Sequence, residues 1–457
     1  MNNSSQFSDM KAKPIGLIRA HKLILSFLVA WLIFLVHWLI RNWSEGPFSF
    51  IFLSVIFLFI AASQVFWIAR IGEVGKTLIS RKSWRWGLAL AGLLVYIFLF
   101  AFNLFSGINR GSSWNLRAGL LEAPFAIWFV GSVVGFLVIM LLWSVDRLAR
   151  AVIRAVKKFA PPSHYELQSP SRRRFLEQGS IALGAAPFVA GAHGLFYGRL
   201  NLETTRQRIN LRHLPKAFEG FRIVQLSDLH ISPFMSAEEI RKYVEIANQL
   251  HGDLVALTGD FLTYDPGTQG AIVQVVSALK APFGVLGCLG NHEYMTRTEE
   301  SITRLLAKEQ IRILRQERAS IESSGESLNI IGIDYEQGRF SLDHEGHLVD
   351  RYMEKNENLV MPGMVNILLN HNPNAFDRAA ELGVDLMLSG HTHGGQLSLE
   401  LLHRGLCLSR LATPYTRGWY QKAGSQLYVN RGIGTISPSI RLGARPEITL
   451  FELTREG

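Results

Sequence analysis

Five short blocks in the second half of the chain combine the residue types that bind divalent metal ions. They are Ser227-Asp228-Leu229-His230, Gly259-Asp260, Gly290-Asn291-His292-Glu293, Asn370-His371 and Gly390-His391-Thr392-His393. Carboxylates, imidazoles and one amide oxygen, with no thiolate, suit borderline divalent ions such as Mn, Fe, Zn, Co or Ni rather than a structural zinc site. Each member taken singly has an ordinary explanation: Asp228 as a turn residue, Asn291 as a cap, His371 as a hydrogen-bonded histidine. The signal is their joint placement.

Each block follows an apolar run of strand length: Phe221–Leu226, Leu254–Thr258, Val285–Leu289, Val365–Leu369 and Leu386–Ser389. Polar, helix-like stretches at Ser236–Leu250, Gly270–Leu279 and Arg297–Glu309 separate the earlier runs, so the sequence from about Thr205 predicts an α/β domain. Open α/β sheets bind ligands at the carboxyl ends of their strands, where residues far apart in sequence converge on one edge. Glycine precedes Asp260, Asn291 and His391, where the backbone must turn sharply.

In order and type, these blocks resemble the calcineurin-like metallophosphoesterases, whose pattern is D-x-H, G-D, G-N-H-[D/E], a lone H, then G-H-x-H. The resemblance covers essentially residues 205–457. Gly394-Gly395-Gln396 and the stretch Asn430–Thr435, with Arg441 and Pro446-Glu447-Ile448, look like the branch that holds twin-arginine-exported phosphodiesterases and membrane-associated UDP-diacylglucosamine hydrolases. The resemblance implies a two-sheet sandwich flanked by helices and a site for two divalent metal ions. In it Asp228, His230 and His393 hold one ion, Asn291, His371 and His391 hold the other, and the catalytic Asp260 bridges them. A carboxylate suits the bridge because its two oxygens span ions about 3.5–4 Å apart; such a pair lowers the pKa of a shared water and neutralises charge on an attacked phosphoryl group. His292 is implied as the catalytic residue that stabilises the transition state or protonates the leaving oxygen, and Glu293 as an orienting neighbour or a plain surface carboxylate. Arg431 and Arg441 are candidates for clamping a substrate phosphate or for structural ion pairs. Phe234 and Met235, with the leucines Leu399, Leu401, Leu402, Leu406, Leu408 and Leu411, could hold an acyl chain if exposed near the metals, or else form buried core.

The first half has a different character. Apolar runs at Lys22–Ile40, Pro47–Ile68, Trp86–Phe105 and Ala123–Trp143 are each long enough to cross a bilayer, so residues 1–144 are expected to form four transmembrane helices. Residues 145–174 read as a basic amphipathic helix on the inner membrane face and a proline-containing linker. Residues 175–198 form a mildly apolar Gly/Ala-rich segment behind Ser171-Arg172-Arg173-Arg174-Phe175-Leu176. This resembles a twin-arginine export signal, with Ala190-Gly191-Ala192 as a cleavage site and the export machinery as a partner; the other reading is a fifth transmembrane helix.

The net charge of +10 suggests nucleic acid, but residues 1–200 carry 21 Lys and Arg against 7 Asp and Glu, while the rest carry 26 against 30. The basic residues flank apolar runs, which makes them topology signals and argues against a nucleic-acid partner. Lys11, Lys13, Arg19 and Lys22, then Arg70–Arg85, then Arg147 onward place both ends of the four-helix unit in the cytoplasm. A further crossing at residues 175–198 puts the catalytic domain in the periplasm or outside the cell. Cys288 and Cys407 allow at most one bridge.

The expectation is therefore a membrane-tethered, metal-dependent phosphoesterase of the inner or cell membrane. It hydrolyses a phosphodiester or pyrophosphate, lipid-linked in one version, with hydroxide bound to two metals. The alternatives are a cytoplasm-facing lipid-precursor pyrophosphohydrolase of the UDP-diacylglucosamine type and a non-catalytic membrane sensor with a relic domain. An intact ligand set argues against the relic.

Overall fold

The computed structural model describes residues 46–78, 111–159, 170–335, 356–398, 407–411 and 413–455, with isolated positions between 81 and 98 and between 341 and 353. The expected spans Lys22–Ile40 and, for the most part, Trp86–Phe105 lie outside the described residues, as do Leu399, Leu401, Leu402 and Leu406. The chain divides into two compact units, the first from residues up to Ile97 and Trp128–Phe188, the second from Phe98–Ile127 and Val189–Gly457.

The first unit holds helix α1 (Gly46–Leu78) and most of α2 (Ala123–Phe159) and α3 (Pro170–His193). Three described stretches are long and apolar enough to cross a membrane: Ser54–Gly72, Ala118–Ala155 and Gln178–Gly198. The basic segment from Val145 continues α2 without a break instead of starting a helix of its own, because nothing before Pro161 interrupts the helical backbone. Between α2 and α3 small residues permit close approach: a Cβ on Gly135 would lie 2.2 Å from the Gly184 carbonyl oxygen, and one on Gly131 2.4 Å from the Phe188 ring. Buried polar groups tie α1 to α2. The Gln64 amide donates to Ser132 Oγ at 2.9 Å and accepts from Trp128 Nε1 at 2.8 Å, while Trp67 Nε1 donates to the Ser132 carbonyl at 2.9 Å.

In the second unit the strands and helices follow in the order β1 (Glu203–Leu211), β2 (Arg222–Leu226), α4 (Ala237–Gln249), β3 (Leu254–Thr258), α5 (Gln269–Val276), β4 (Val285–Cys288), α6 (Asn291–Thr296), α7 (Glu299–Lys308), β5 (Ile311–Ile313), β6 (Glu317–Ser323), β7 (Glu326–Ile333), the two-residue strands β8 (Ser341–Leu342) and β9 (Leu348–Val349), β10 (Asn366–Asn370), α8 (Phe376–Glu381), β11 (Leu386–Ser389), β12 (Gly418–Lys422), β13 (Ser425–Val429) and β14 (Glu447–Arg455). Two six-stranded mixed sheets result, ordered β1-β14-β2-β3-β4-β5 and β12-β13-β11-β10-β7-β6. Alternation along the strands explains the layering. Ile223, Leu254 and Leu286 join Ile330, Ile367 and Leu386 in a core between the sheets, while Val224, Val255 and Val285 face outward onto α4, α5 and α7. A third core packs Ile331, Leu368 and Met387 against Phe376 and Ala379 of α8. Strands β2, β3 and β4 run parallel in one sheet, and β7, β10, β11 and β13 run parallel in the other, so their carboxyl ends collect on shared edges.

Candidate metal centre

Each predicted ligand block falls immediately after a strand: Asp228 and His230 after β2, Asp260 after β3, Asn291 after β4, His371 after β10, and His391 and His393 after β11. Asp228, His230, Asp260, His391 and His393 all adopt left-handed backbone, φ between 47° and 72°, a conformation non-glycine residues avoid unless tertiary structure imposes it. The glycines before three ligands act differently from one another. Gly259 has φ +82°, which requires glycine, whereas Gly290 and Gly390 serve by lacking a Cβ: one would meet Asp260 Oδ1 at 2.1 Å, the other Asp228 Oδ2 at 2.2 Å.

The side chains converge in two adjoining groups. In the first, His393 Nε2 lies 3.1 Å from His230 Nε2 and 3.4 Å from Asp228 Oδ1. In the second, His371 Nε2 lies 3.2 Å from both Asn291 Oδ1 and His391 Nδ1. Asp260 joins the groups, its Oδ2 3.3 Å from His230 Nε2 and 3.1 Å from His371 Nε2. Donor atoms of Asp228, His230 and His393, of His230, Asp260 and His292, and of Asp260, His371 and His391 each fall within 4.8 Å of one another.

These donors fit divalent metal ions for a chemical reason. Nδ1 of His230 and Nδ1 of His371 donate to the carbonyls of Leu262 at 3.0 Å and Thr258 at 2.7 Å. In the neutral tautomer this fixes, each ring turns its Nε2 lone pair inward, as metal-binding histidines do. Ring nitrogens and carboxylate oxygens crowded at such distances need a proton or a metal cation among them. The electrostatics agree. Burial alone would lower His371, yet the neighbouring Asp260 carboxylate carries it up to about 10. Burial resists charging Asp260, but His371 and His292 hold it well below the ordinary carboxylate range. Burial and the neighbouring His371 push His391 down to about 3.

His292 caps the group without lying at its centre. Its backbone N–H donates to Asp260 Oδ1 at 2.9 Å, Nδ1 is engaged by the Thr263 carbonyl, and the ring stands edge-on to His230 with centroids 4.6 Å apart. Burial lowers it below its ordinary value, against the pull of Asp260. Glu293 is fully buried, and its carboxylate accepts the backbone N–H groups of Asp260, Phe261, Leu262 and Gly290 at 2.7–3.1 Å. Of its two expected roles, the surface carboxylate is excluded.

Both candidate clamp residues already have partners within the protein, as the ion-pair alternative expects. Arg431 pairs with Glu447 and Glu203, each at 2.9 Å. Arg441 is 1% exposed, donates to the carbonyls of Gly434, Ala444, Arg431 and Gly432, and faces Nδ1 of His393 at 3.1 Å. Burial brings it down to about 10. Phe234 and Met235 are buried, so they offer no acyl-chain surface. Cys288 and Cys407 are both buried free thiols, so the one bridge that composition allowed is not made.

Comparison with known proteins agrees with this geometry. The family described as calcineurin-like phosphoesterase matches residues 221–395. The chain is 32% identical over 295 residues to the uncharacterized metallophosphoesterase YkuE of Bacillus subtilis, a match covering 63% of this chain and 99% of that one. It is 26% identical over 291 residues to the phosphodiesterase YaeI of Escherichia coli, covering 62% of this chain and 99% of the other. A Danio rerio transmembrane protein with a metallophosphoesterase domain is 28% identical over 292 residues, 62% of this chain and 65% of its own length.

Proposed function

Because the chain belongs to the calcineurin-like phosphoesterase family, a family of hydrolases acting on phosphoester bonds, we propose that it is a membrane-tethered enzyme cleaving a phosphodiester or pyrophosphate at a site for two divalent metal ions. The observation that carries this reading is Asp260, whose Oδ2 lies within 3.3 Å of inward-facing histidine nitrogens from both groups. In the proposal Asp228, His230 and His393 hold one ion, Asn291, His371 and His391 the other, and Asp260 both. When bound, such ions activate a water and offset charge on the attacked phosphoryl group. His292, its Nδ1 engaged by the Thr263 carbonyl, keeps Nε2 for the proton of the leaving oxygen. Glu293 fixes the backbone that carries Asp260.

The proposed topology puts the catalytic domain outside the cytoplasm, on an inner or cell membrane. Two observations support it. The segment beginning at Gly111, which belongs to a loop with few basic residues, is part of the same unit as the catalytic domain, and the Gly111 N–H donates to Asp265 at 2.9 Å. In addition, α3 packs against α2 through Gly184 and Gly135, as a retained span would. Arg172 and Arg173, in the first turn of α3, remain the proposed recognition pair for twin-arginine export machinery.

The test uses the full chain in lipid nanodiscs, loaded in turn with Mn, Zn, Co and Ni, against bis-p-nitrophenyl phosphate and a panel of nucleotide diesters and pyrophosphates. Turnover should appear with at least one metal and nearly vanish in Asp260→Asn, which keeps side-chain volume and removes the shared charge. Near-wild-type turnover of that variant with normal metal content would overturn the dinuclear assignment.

A further inference from the structure

The second unit includes a stretch far upstream of the phosphoesterase sequence. Residues 111–122 directly precede α2, and residues 194–199 directly follow α3; both lie at ends of stretches apolar enough to span a membrane, Ala118–Ala155 and Gln178–Gly198. They meet at the loop that bears His230. Trp114 stands edge-on to Phe234 with ring centroids 5.4 Å apart, and the Ser112 carbonyl accepts the Ala237 N–H at 3.0 Å at the start of α4. Arg199 ties the three parts together. It donates to the Leu195 carbonyl at 2.7 Å and to the Phe234 carbonyl, and its guanidinium lies 5.9 Å from the centre of the Trp114 ring. On the other side of the loop, Gly111 N–H donates to Asp265, next to Tyr264, whose ring lies 5.1 Å from that of His292.

Around this junction large apolar side chains face outward: Leu116 is 80% exposed, Leu120 66%, Tyr197 57%, Phe196 56% and Trp114 44%. A water-facing surface would not keep five such residues together, whereas aromatic and aliphatic side chains at the ends of spanning helices belong in the lipid headgroup zone. Continuity with the two spans identifies the occupant as the bilayer itself. Next to the candidate ligands, Tyr264, 39% exposed, packs on the His292 ring, and Met295, 59% exposed, has its Sδ 3.7 Å from Asn291 Nδ2.

We propose that residues 111–122 and 194–199 form a collar seated in the headgroup zone, which holds the His230–Met235 loop at the bilayer surface, so that the centre takes a phosphoester whose apolar part stays in the membrane. The substrate half of this proposal rests on the phosphoesterase reading; the collar does not.

Two measurements on the full chain in phosphatidylcholine–phosphatidylglycerol nanodiscs test it. Leu116→Cys gives a spin-label site, and the native thiols Cys288 and Cys407 are buried and so protected from labelling. The label should be more accessible to dissolved oxygen than to a water-soluble nickel complex; the reverse order overturns the collar. The second measurement follows kcat/KM for alkyl p-nitrophenyl phosphate diesters from methyl to dodecyl. It should rise by at least about tenfold from butyl to dodecyl, since added methylenes partition into lipid. A flat or falling series, with hydrolysis still present, overturns membrane supply of the substrate and leaves the phosphoesterase reading standing. No hydrolysis of any member by the metal-loaded protein overturns that reading and the substrate half with it.

Discussion

The Glu293 carboxylate accepts the backbone N–H of Asp260 at 3.0 Å, so a residue on the helix that follows β4 fixes the carboxylate that follows β3. The same carboxylate caps its own helix through Gly290 at 2.9 Å. One buried carboxyl group thereby ties two strand ends together, and with them the position of the carboxylate that lies between the two histidine groups.

Glu293→Gln should therefore weaken the site through its backbone. An amide keeps one acceptor oxygen, but its NH2 faces N–H groups, leaving buried donors unpaired at a cost of about 1–3 kcal/mol. Lower thermal stability together with weaker metal retention is expected, measured by melting curves and elemental analysis of the purified chain. Unchanged metal affinity and turnover would show that the four N–H contacts do not position Asp260.

His292→Ala should behave differently. The ring is held by Thr263 and stands edge-on to His230, so metal content should be kept while turnover falls on the order of 10²–10⁴ if it handles the leaving-group proton. Metal loss as large as in His371→Ala would instead make His292 a ligand.

Glu447 makes the acid sensitivity of the fold predictable. Burial would raise its pKa, but Arg431 overrides this and leaves it below the ordinary 4.5. A carboxyl group that binds its proton less well when folded stabilises the protein above the usual carboxylate range, and that contribution is lost as pH falls through its folded value. Glu447→Gln should lower stability at pH 7 by about 3 kcal/mol, by stranding part of the Arg431 charge, and should flatten the loss of stability below pH 4.5. Parallel wild-type and variant acid limbs would refute this.

Arg172→Lys with Arg173→Lys keeps the charge and removes the guanidinium forks. If α3 relies on twin-arginine recognition, the double variant should leave the catalytic domain inside, protected from protease added to spheroplasts, while the wild-type domain is digested. Digestion of both would make α3 an ordinary span that only needs positive charge on its inner flank. Protection of both would place the domain in the cytoplasm.

Much of this protein was legible in one dimension. Candidate ligands at strand ends are local features, because a strand, a turn and an Asp or His lie within a few residues of one another, and the parallel topology of α/β sheets gathers such ends on one edge. Apolar runs of spanning length are equally local, which is why Pro47–Ile68 and Ala123–Trp143 reappear inside α1 and α2. Only the tertiary structure decided what depends on distant partners. Arg431 and Arg441 look alike in sequence, each open to a phosphate clamp or an ion pair, yet packing made one an ion-pair partner of Glu447 and Glu203 and the other a buried brace behind His393. Phe234 and Met235 follow a ligand block and could have lined the site, but Trp114, 120 residues upstream of Phe234, packs against it. No periodicity or motif marks Trp114 and Arg199 as neighbours of that loop, because their contacts are set by where the ends of separate helices meet, a fact that exists only in three dimensions.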